Sequence, residues 1–186
     1  MKYGYVINIT AVDRPGIVAG VSSAIYKLSG NIDSCSQTVL DGYFTLIMTV
    51  SMDELIGVDE LKQKILSEKG LEDCQAIVFP TRENDRRYRS AESNSFVITA
   101  FGRDCHGIVS QFTKYLGGKE INIIDLYAYI TNDGEFVLIC QVEVKPELDL
   151  KNIQLDLEAL GEQVGFTVRI QHNNVFVATN QIRLDR

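Results

Sequence analysis

"VDRPGIVAG", residues 12–20, and "GRDCHGIVS", residues 102–110, are two versions of one turn. Each keeps an aspartate, two variable residues and then Gly-Ile-Val, and each follows an apolar run. With Asp13 laid on Asp104, Val6-Ile7 falls on Val97-Ile98, Gly16-Ile17-Val18 on Gly107-Ile108-Val109, and Asn31-Ile32 on Asn122-Ile123. One inserted residue then restores the register, so that Gly42 meets Gly134, Phe44 meets Phe136, and Leu46-Ile47 meets Leu138-Ile139. Matches that keep their order over about 45 residues mark an internal repeat.

Each half reads as the same series of elements. Tyr5, Ile7, Ile9 and Ala11 alternate as on a half-buried strand. Pro15 suits a first helical turn, where a missing N–H costs nothing. Ile17, Val18, Val21, Ile25 and Leu28 recur at helical spacing, with Gly30 as the stop. Residues 32–40 and 43–52 are β-like runs around Asp41-Gly42, a strong hairpin signal. A helix is predicted over 54–69 from Val58, Leu61 and Ile65, and a strand over 71–79.

The second half gives a strand at 96–102, a helix at 107–116 ended by Gly117-Gly118, and strands at 121–131 and 136–144. Leu150, Ile153, Leu157, Leu160 and Val164 then step as a helix, and 166–172 is the last strand. The order β-α-β-β-α-β, twice, predicts an α+β protein of two ferredoxin-like domains, each with a four-stranded antiparallel sheet. Their expected bounds are 1–80 and 95–172, with a charged linker at 81–94 and an extension at 173–186. Arg82, Arg86, Arg87 and Arg89 form a basic cluster in that linker, but Glu83 and Asp85 interleave it, as on a solvated segment.

The 186 residues carry a net charge of −7, which argues against direct nucleic-acid contact. No apolar run approaches the roughly 20 residues that span a bilayer, and no leader pattern opens the sequence; a cytoplasmic location is expected. In that compartment Cys35, Cys74, Cys105 and Cys140, which form no C-x-x-C pair, are expected as free thiols.

The turn Asp-Arg-Pro-Gly-Ile-Val between a first strand and helix, in a unit of this kind, resembles that of ACT domains. "GNIDSCSQTVLDGYFTLIMTVS", residues 30–51, and "RIQHNNVFVATNQI", residues 169–182, resemble segments of small stand-alone ACT proteins. A tandem pair is also similar to ACT regulators that repress glycine-cleavage genes. The resemblance implies a regulatory module that binds a small effector, an amino acid by preference, where two ACT domains meet. It also implies a homo-oligomer, and it implies that the start of the second strand faces the ligand across that interface.

The residues suit such a ligand. Its carboxylate needs donors, which the helix starts at Gly16-Ile17-Val18 and Gly107-Ile108-Val109 offer as backbone N–H groups. Its ammonium needs acceptors, which Asp13, Asp104 and the turn carbonyls supply, while Asn31 and Asn122 beside Ile32 and Ile123 offer both kinds of group. Arg14-Pro15 and Cys105-His106 complete the two turns, and their difference questions the equivalence of the sites. Each residue also has a structural reading: the aspartates as helix N-caps, the glycines as close-packing positions, the asparagines as partners of local backbone.

Asp104-Cys105-His106 makes neither a nucleophile–base pair nor a zinc site, since adjacent residues rarely converge and His172 is the only other histidine. No phosphate-binding loop, dinucleotide fingerprint or hydrolase elbow is present. Catalytic residues, cofactors and metals are therefore not expected. Tyr127 and Tyr129 on one strand face could stack bases, but the acidic charge favours packing. The alternative function is a protein-interaction module that regulates transcription by binding a partner regulator.

Overall fold

The computed structural model describes residues 2–81 and 94–180. The arginine cluster of the linker and residues 181–186 lie outside the described residues. The chain divides into two compact units. The first holds β1 (Tyr3–Val12), α1 (Ile17–Lys27), β2 (Asn31–Leu40), β3 (Tyr43–Met52), α2 (Val58–Leu66) and β4 (Gln75–Pro80). The second holds β5 (Asn94–Arg103), α3 (Ile108–Gly118), β6 (Asn122–Ile130), β7 (Glu135–Val144), α4 (Leu150–Val164), β8 (Phe166–His172) and α5 (Asn173–Asn180).

Both units are β-α-β-β-α-β, as the repeat predicts. The sheets run β2-β3-β1-β4 and β6-β7-β5-β8, antiparallel throughout. Alternation puts Ile7, Ile9, Leu46 and Met48 under the helices of the first sheet, where Ile17, Val21, Ile25, Leu61 and Ile65 meet them. Ile98, Leu138, Cys140 and Val142 play that part in the second sheet, beneath Ile108, Phe112, Ile153 and Leu157. Each such aliphatic side chain contributes roughly 1.5–3 kcal/mol by leaving water.

Four local expectations are corrected. Neither Gly30 nor Gly117-Gly118 supplies the left-handed residue that ends its helix. Ser29 (φ 55°) and Glu120 (φ 55°) do, at matching positions of the repeat. The amides of Gly30 and Ile121 then close onto Ile25 O and Leu116 O, each at 2.9 Å, so orphan carbonyls are satisfied without glycine. Gly30 is small for another reason, because a Cβ there would strike Met52 Sδ.

Pro15 precedes the first helical residue by two and sits in the turn. With Gly16 at φ 101°, ψ −13°, the pair has the order of a type II turn. The helix predicted over 54–69 is only Val58–Leu66, because Gly57 is extended (φ −62°, ψ 142°). The strand predicted from 71 begins at Gln75, since residues 71–74 close a turn through Cys74 N–H to Leu71 O (3.0 Å).

The hairpins differ by the inserted residue. Asp41 (φ 50°) and Gly42 (φ 80°) form a two-residue left-handed turn. In the second unit Thr131 O accepts from Gly134 N–H (2.9 Å) and Gly134 (φ 79°) returns the chain to β7. α5 lies against β5 and β8.

Candidate functional site

The two repeated turns have the same build. Gly16 (φ 101°) and Gly107 (φ 84°, ψ 6°) are the residues that open α1 and α3, both left-handed. A Cβ at either would meet nothing within 4 Å, so close packing is not why they are glycines. The backbone conformation is the reason, since a side chain there costs roughly 1–2 kcal/mol. Gly16 O accepts from Gly20 N–H (2.9 Å) and Gly107 O from Gln111 N–H (3.0 Å). No side chain caps either helix, which removes the N-cap reading of Asp13 and Asp104. Both aspartates are exposed. The first-turn amides are therefore left for solvent or a ligand. By contrast, α4 is capped in the ordinary way, Asp149 Oδ1 accepting from Lys151 N–H at 2.9 Å.

Ile17 and Ile108 are buried, and only their backbone can reach a ligand. Val18 is exposed and Val109 half-buried against the second core. Ile32 and Ile123 pack in the same partial way.

Arg14 is engaged within its own unit. Its guanidinium donates to Gly70 O (2.8 Å), Val12 O (3.2 Å) and the Asp73 carboxylate, and lies 3.7 Å from Cys74 Sγ. The turn is thus fastened to the loop between α2 and β4. Asp13 N–H adds a bond to Gly42 O (2.8 Å), fastening it to the β2–β3 hairpin as well. On that loop the amides of Gly70 and Glu72, helped by Arg14 and Lys69, hold the Glu72 carboxyl below its ordinary range. In the second unit the position of Arg14 is Cys105, a half-buried thiol packed against the core, and His106 is exposed.

The asparagines lie far from the turns. Asn31 pairs with Ser51, which pairs with Gly4 at the start of β1. The turn leaves the other end of β1, where Val12 pairs with Tyr43. Eight residues of strand separate the two ends, roughly 27 Å at ~3.4 Å each. Asn122, Glu143 and Ser95 repeat this at the start of β5. One unit therefore cannot bring its own glycine turn and its own asparagine to one small molecule.

Each asparagine holds a carboxylate. Asn31 Nδ2 donates to Asp33 Oδ1 (2.9 Å), which also accepts from Ser51 Oγ (3.0 Å). Asn122 Nδ2 donates to Glu143 Oε2 (3.3 Å). Bulges at 32/34 and 123/125 follow both asparagines. Sequence reasoning missed these acids, which occupy different positions in the two repeats.

Among the described residues, no group of three metal-ligating side chains is present, and no helix is long and apolar enough to cross a membrane. All four cysteines are free thiols. Tyr127 and Tyr129 are exposed on the face of β6 turned away from the core, opposite Ile139 and Val137.

This build, a ferredoxin-like unit with a glycine turn opening its first helix, is that of a regulatory domain fold. The family pattern of the ACT domain matches residues 5–74 and 94–171, and the chain belongs to that family. A UPF0237 protein of Methanococcus maripaludis is 36% identical over 87 residues, 46% of this chain and 96% of that protein. One from Streptococcus pneumoniae is 55% identical over 49 residues, 26% of this chain; the chain spans only 56% of that relative's length. Over both units the fold is that of a protein of unknown function from Galdieria sulphuraria (TM-score 0.79, 22% identity, covering 92% of this chain and 99% of that one). It is shared with a structure assigned to a glycine cleavage system transcriptional repressor (TM-score 0.63, 18% identity, 93% and 99%).

Proposed function

We propose that this ACT-domain chain is a regulatory protein that binds a small effector, an α-amino acid, and performs no reaction of its own. The observation that carries the reading is the pair of uncapped, glycine-opened helix starts at Gly16 and Gly107. Backbone N–H groups and the positive end of the helix dipole suit a carboxylate, and a left-handed glycine leaves room for it. The acceptors at Asn31 and Asn122 lie at the other end of each sheet, so a ligand using both kinds of group needs two ACT units. Binding then shifts an association or partner-binding equilibrium, because the ligand favours the state in which both half-sites are formed.

A second reading, regulation of transcription through a protein partner, is favoured by the helix-free face of the first sheet. There Ile47, Ile77 and Phe79 stand 49%, 53% and 58% exposed, on strands whose register places Ile47 and Ile77 either side of Asn8. The two readings separate on whether ligand alone binds the purified chain. A thermal-shift screen against the twenty amino acids tests this, and saturation at 100 times Kd corresponds to about 2.7 kcal/mol per site.

A further inference from the structure

We infer that a cavity at the start of β1, in the first unit only, is a binding site for a small aromatic acid. It is separate from the glycine turns, since Gly16 follows the other end of β1.

The cavity holds about 360 Å³, within the roughly 300–1,000 Å³ of small-molecule sites. Tyr3, Tyr5, Leu55 and Pro80 give it apolar walls, and Lys2, Gly4 and Thr81 complete the lining. The Tyr5 hydroxyl donates to Ile56 O (2.7 Å) and accepts from Ile56 N–H (3.0 Å), which fixes the ring from below. Gly4 keeps a recess open, because a Cβ there would strike Thr81 Oγ1. No carboxylate lines the cavity, and among the described residues Lys2 is in no ion pair. In a chain of net charge −7, an unpaired ammonium at a cavity wall suits an anion, through a charge-assisted bond.

The internal repeat supplies the rest of the ligand. Strand register puts Phe96 at the position of Tyr5 and His172 at that of Pro80. There the His172 ring stands edge-on to Phe96, with centroids 5.3 Å apart and planes at 78°, a favoured geometry for aromatic pairs. The second unit thus fills with its own ring the place that Pro80 leaves open beside Tyr5. Ser95 replaces Gly4, and its hydroxyl accepts from Gln141 Nε2 (3.0 Å). Counting back from the helix caps Gly57 and Asp149, Glu147 replaces Leu55. Leu55 is 72% exposed and gives the first cavity an apolar rim. A missing ring, an apolar rim and a spare cation converge on one ligand, an aromatic ring that carries an acid group. The ring takes the place of His172 against Tyr5, and the acid meets Lys2. An α-ammonium beside Lys2 would be repelled, so an amino acid is a poor occupant.

The test is titration calorimetry and amide NMR on the intact chain with phenylacetate as the probe, beside phenylacetamide, cyclohexylacetate and phenylalanine. Lys2→Gln and Leu55→Glu, both at exposed positions, are measured in parallel, with circular dichroism to check that the fold is kept. Phenylacetate is expected to bind saturably and to shift the amides of Tyr3, Gly4, Tyr5, Leu55 and Thr81, while those of 94–96 stay still. At those amides the neutral phenylacetamide and phenylalanine should bind at least tenfold more weakly, and cyclohexylacetate at least threefold. Each variant should lose at least fivefold in affinity for phenylacetate. No binding of phenylacetate, shifts confined to the glycine turns, or unchanged affinity in both variants overturns the inference. None of these results bears on the effector reading, which the amino-acid screen tests separately.

Discussion

Arg14 and Asp73, 59 residues apart in the chain, are joined through an ion pair that closes the first repeated turn onto the loop before β4. The same guanidinium reaches the carbonyls of Val12 and Gly70. The partners are 31% and 65% exposed, so screening limits the ion pair itself to less than about 1 kcal/mol. Arg14→Ala is expected to cost roughly 1 kcal/mol in total, chiefly through the bonds to backbone carbonyls. Hydrogen exchange should quicken at 13–18 and 70–74 while 104–109, which has Cys105 at that position, stays unchanged. Unchanged exchange at 70–74 would show that the clasp does not hold the turn.

The left-handed glycines give a second prediction. Gly16→Ala and Gly107→Ala meet open space but a strained φ, and each should lose roughly 1–2 kcal/mol in urea denaturation. Asparagine at either position should cost less than alanine, because its side chain tolerates the left-handed region. Equal stability of alanine variant and wild type would remove the conformational account of the motif.

Two helical glycines in the second unit should respond with opposite signs. Gly117 lies in the last turn of α3, and a Cβ there meets nothing within 4 Å. Gly117→Ala is expected to stabilise by roughly 0.5–1 kcal/mol through lower chain entropy in the unfolded state. In α4, a Cβ on Gly161 would come to 2.8 Å from Phe166 O and also strike the Val168 side chain. Gly161→Ala should therefore cost about 1–3 kcal/mol by overpacking. Denaturation midpoints of the two variants moving in the same direction would contradict the packing described.

How much of this was legible in the sequence follows from what each feature depends on. Alternation and helical spacing are local, so Ile7, Ile9, Ile17 and Val21 announced the elements and the repeat announced the topology. The helix ends are not announced, because glycine is the usual left-handed residue, while here Ser29 and Glu120 take that role and Gly30 answers to Met52. Beyond Val12, the partners of Arg14 lie 56 to 60 residues away, and its motif does not signal them. The separation of Gly16 from Asn31 comes from strand register, and no spacing in the sequence carries it. Asp33 and Glu143 were hidden for a related reason, since a pair kept by moving its acid leaves no match when the halves are aligned.

Alkaline pH supplies a further prediction. Burial, with a smaller part from Asp125, pushes the Cys140 thiol up from 9.0 to about 11. Burial and the bond to Asp156 (2.9 Å) likewise raise the Tyr115 hydroxyl. A group whose acid form is favoured by folding contributes stability that is whole below its unfolded value and is lost as pH rises through the folded one. The second unit should therefore weaken between about pH 9 and pH 11, and Cys140→Val should flatten that slope. Below pH 9, Cys35 is exposed and should be alkylated readily, whereas Cys74 and Cys140 are buried and should react only on unfolding. A Cys140→Val variant with an unaltered alkaline slope would refute the assignment.

The central claim, that the two glycine turns serve an amino-acid effector, is tested most directly by the thermal-shift screen of the intact chain against the twenty amino acids, followed by calorimetry of any hit. At least one amino acid is expected to raise the melting temperature in a saturable way, calorimetry to give a matching Kd, and Gly16→Val to weaken binding by more than its own cost in stability explains. A flat screen together with flat calorimetry would contradict it and leave protein-partner binding as the function to pursue.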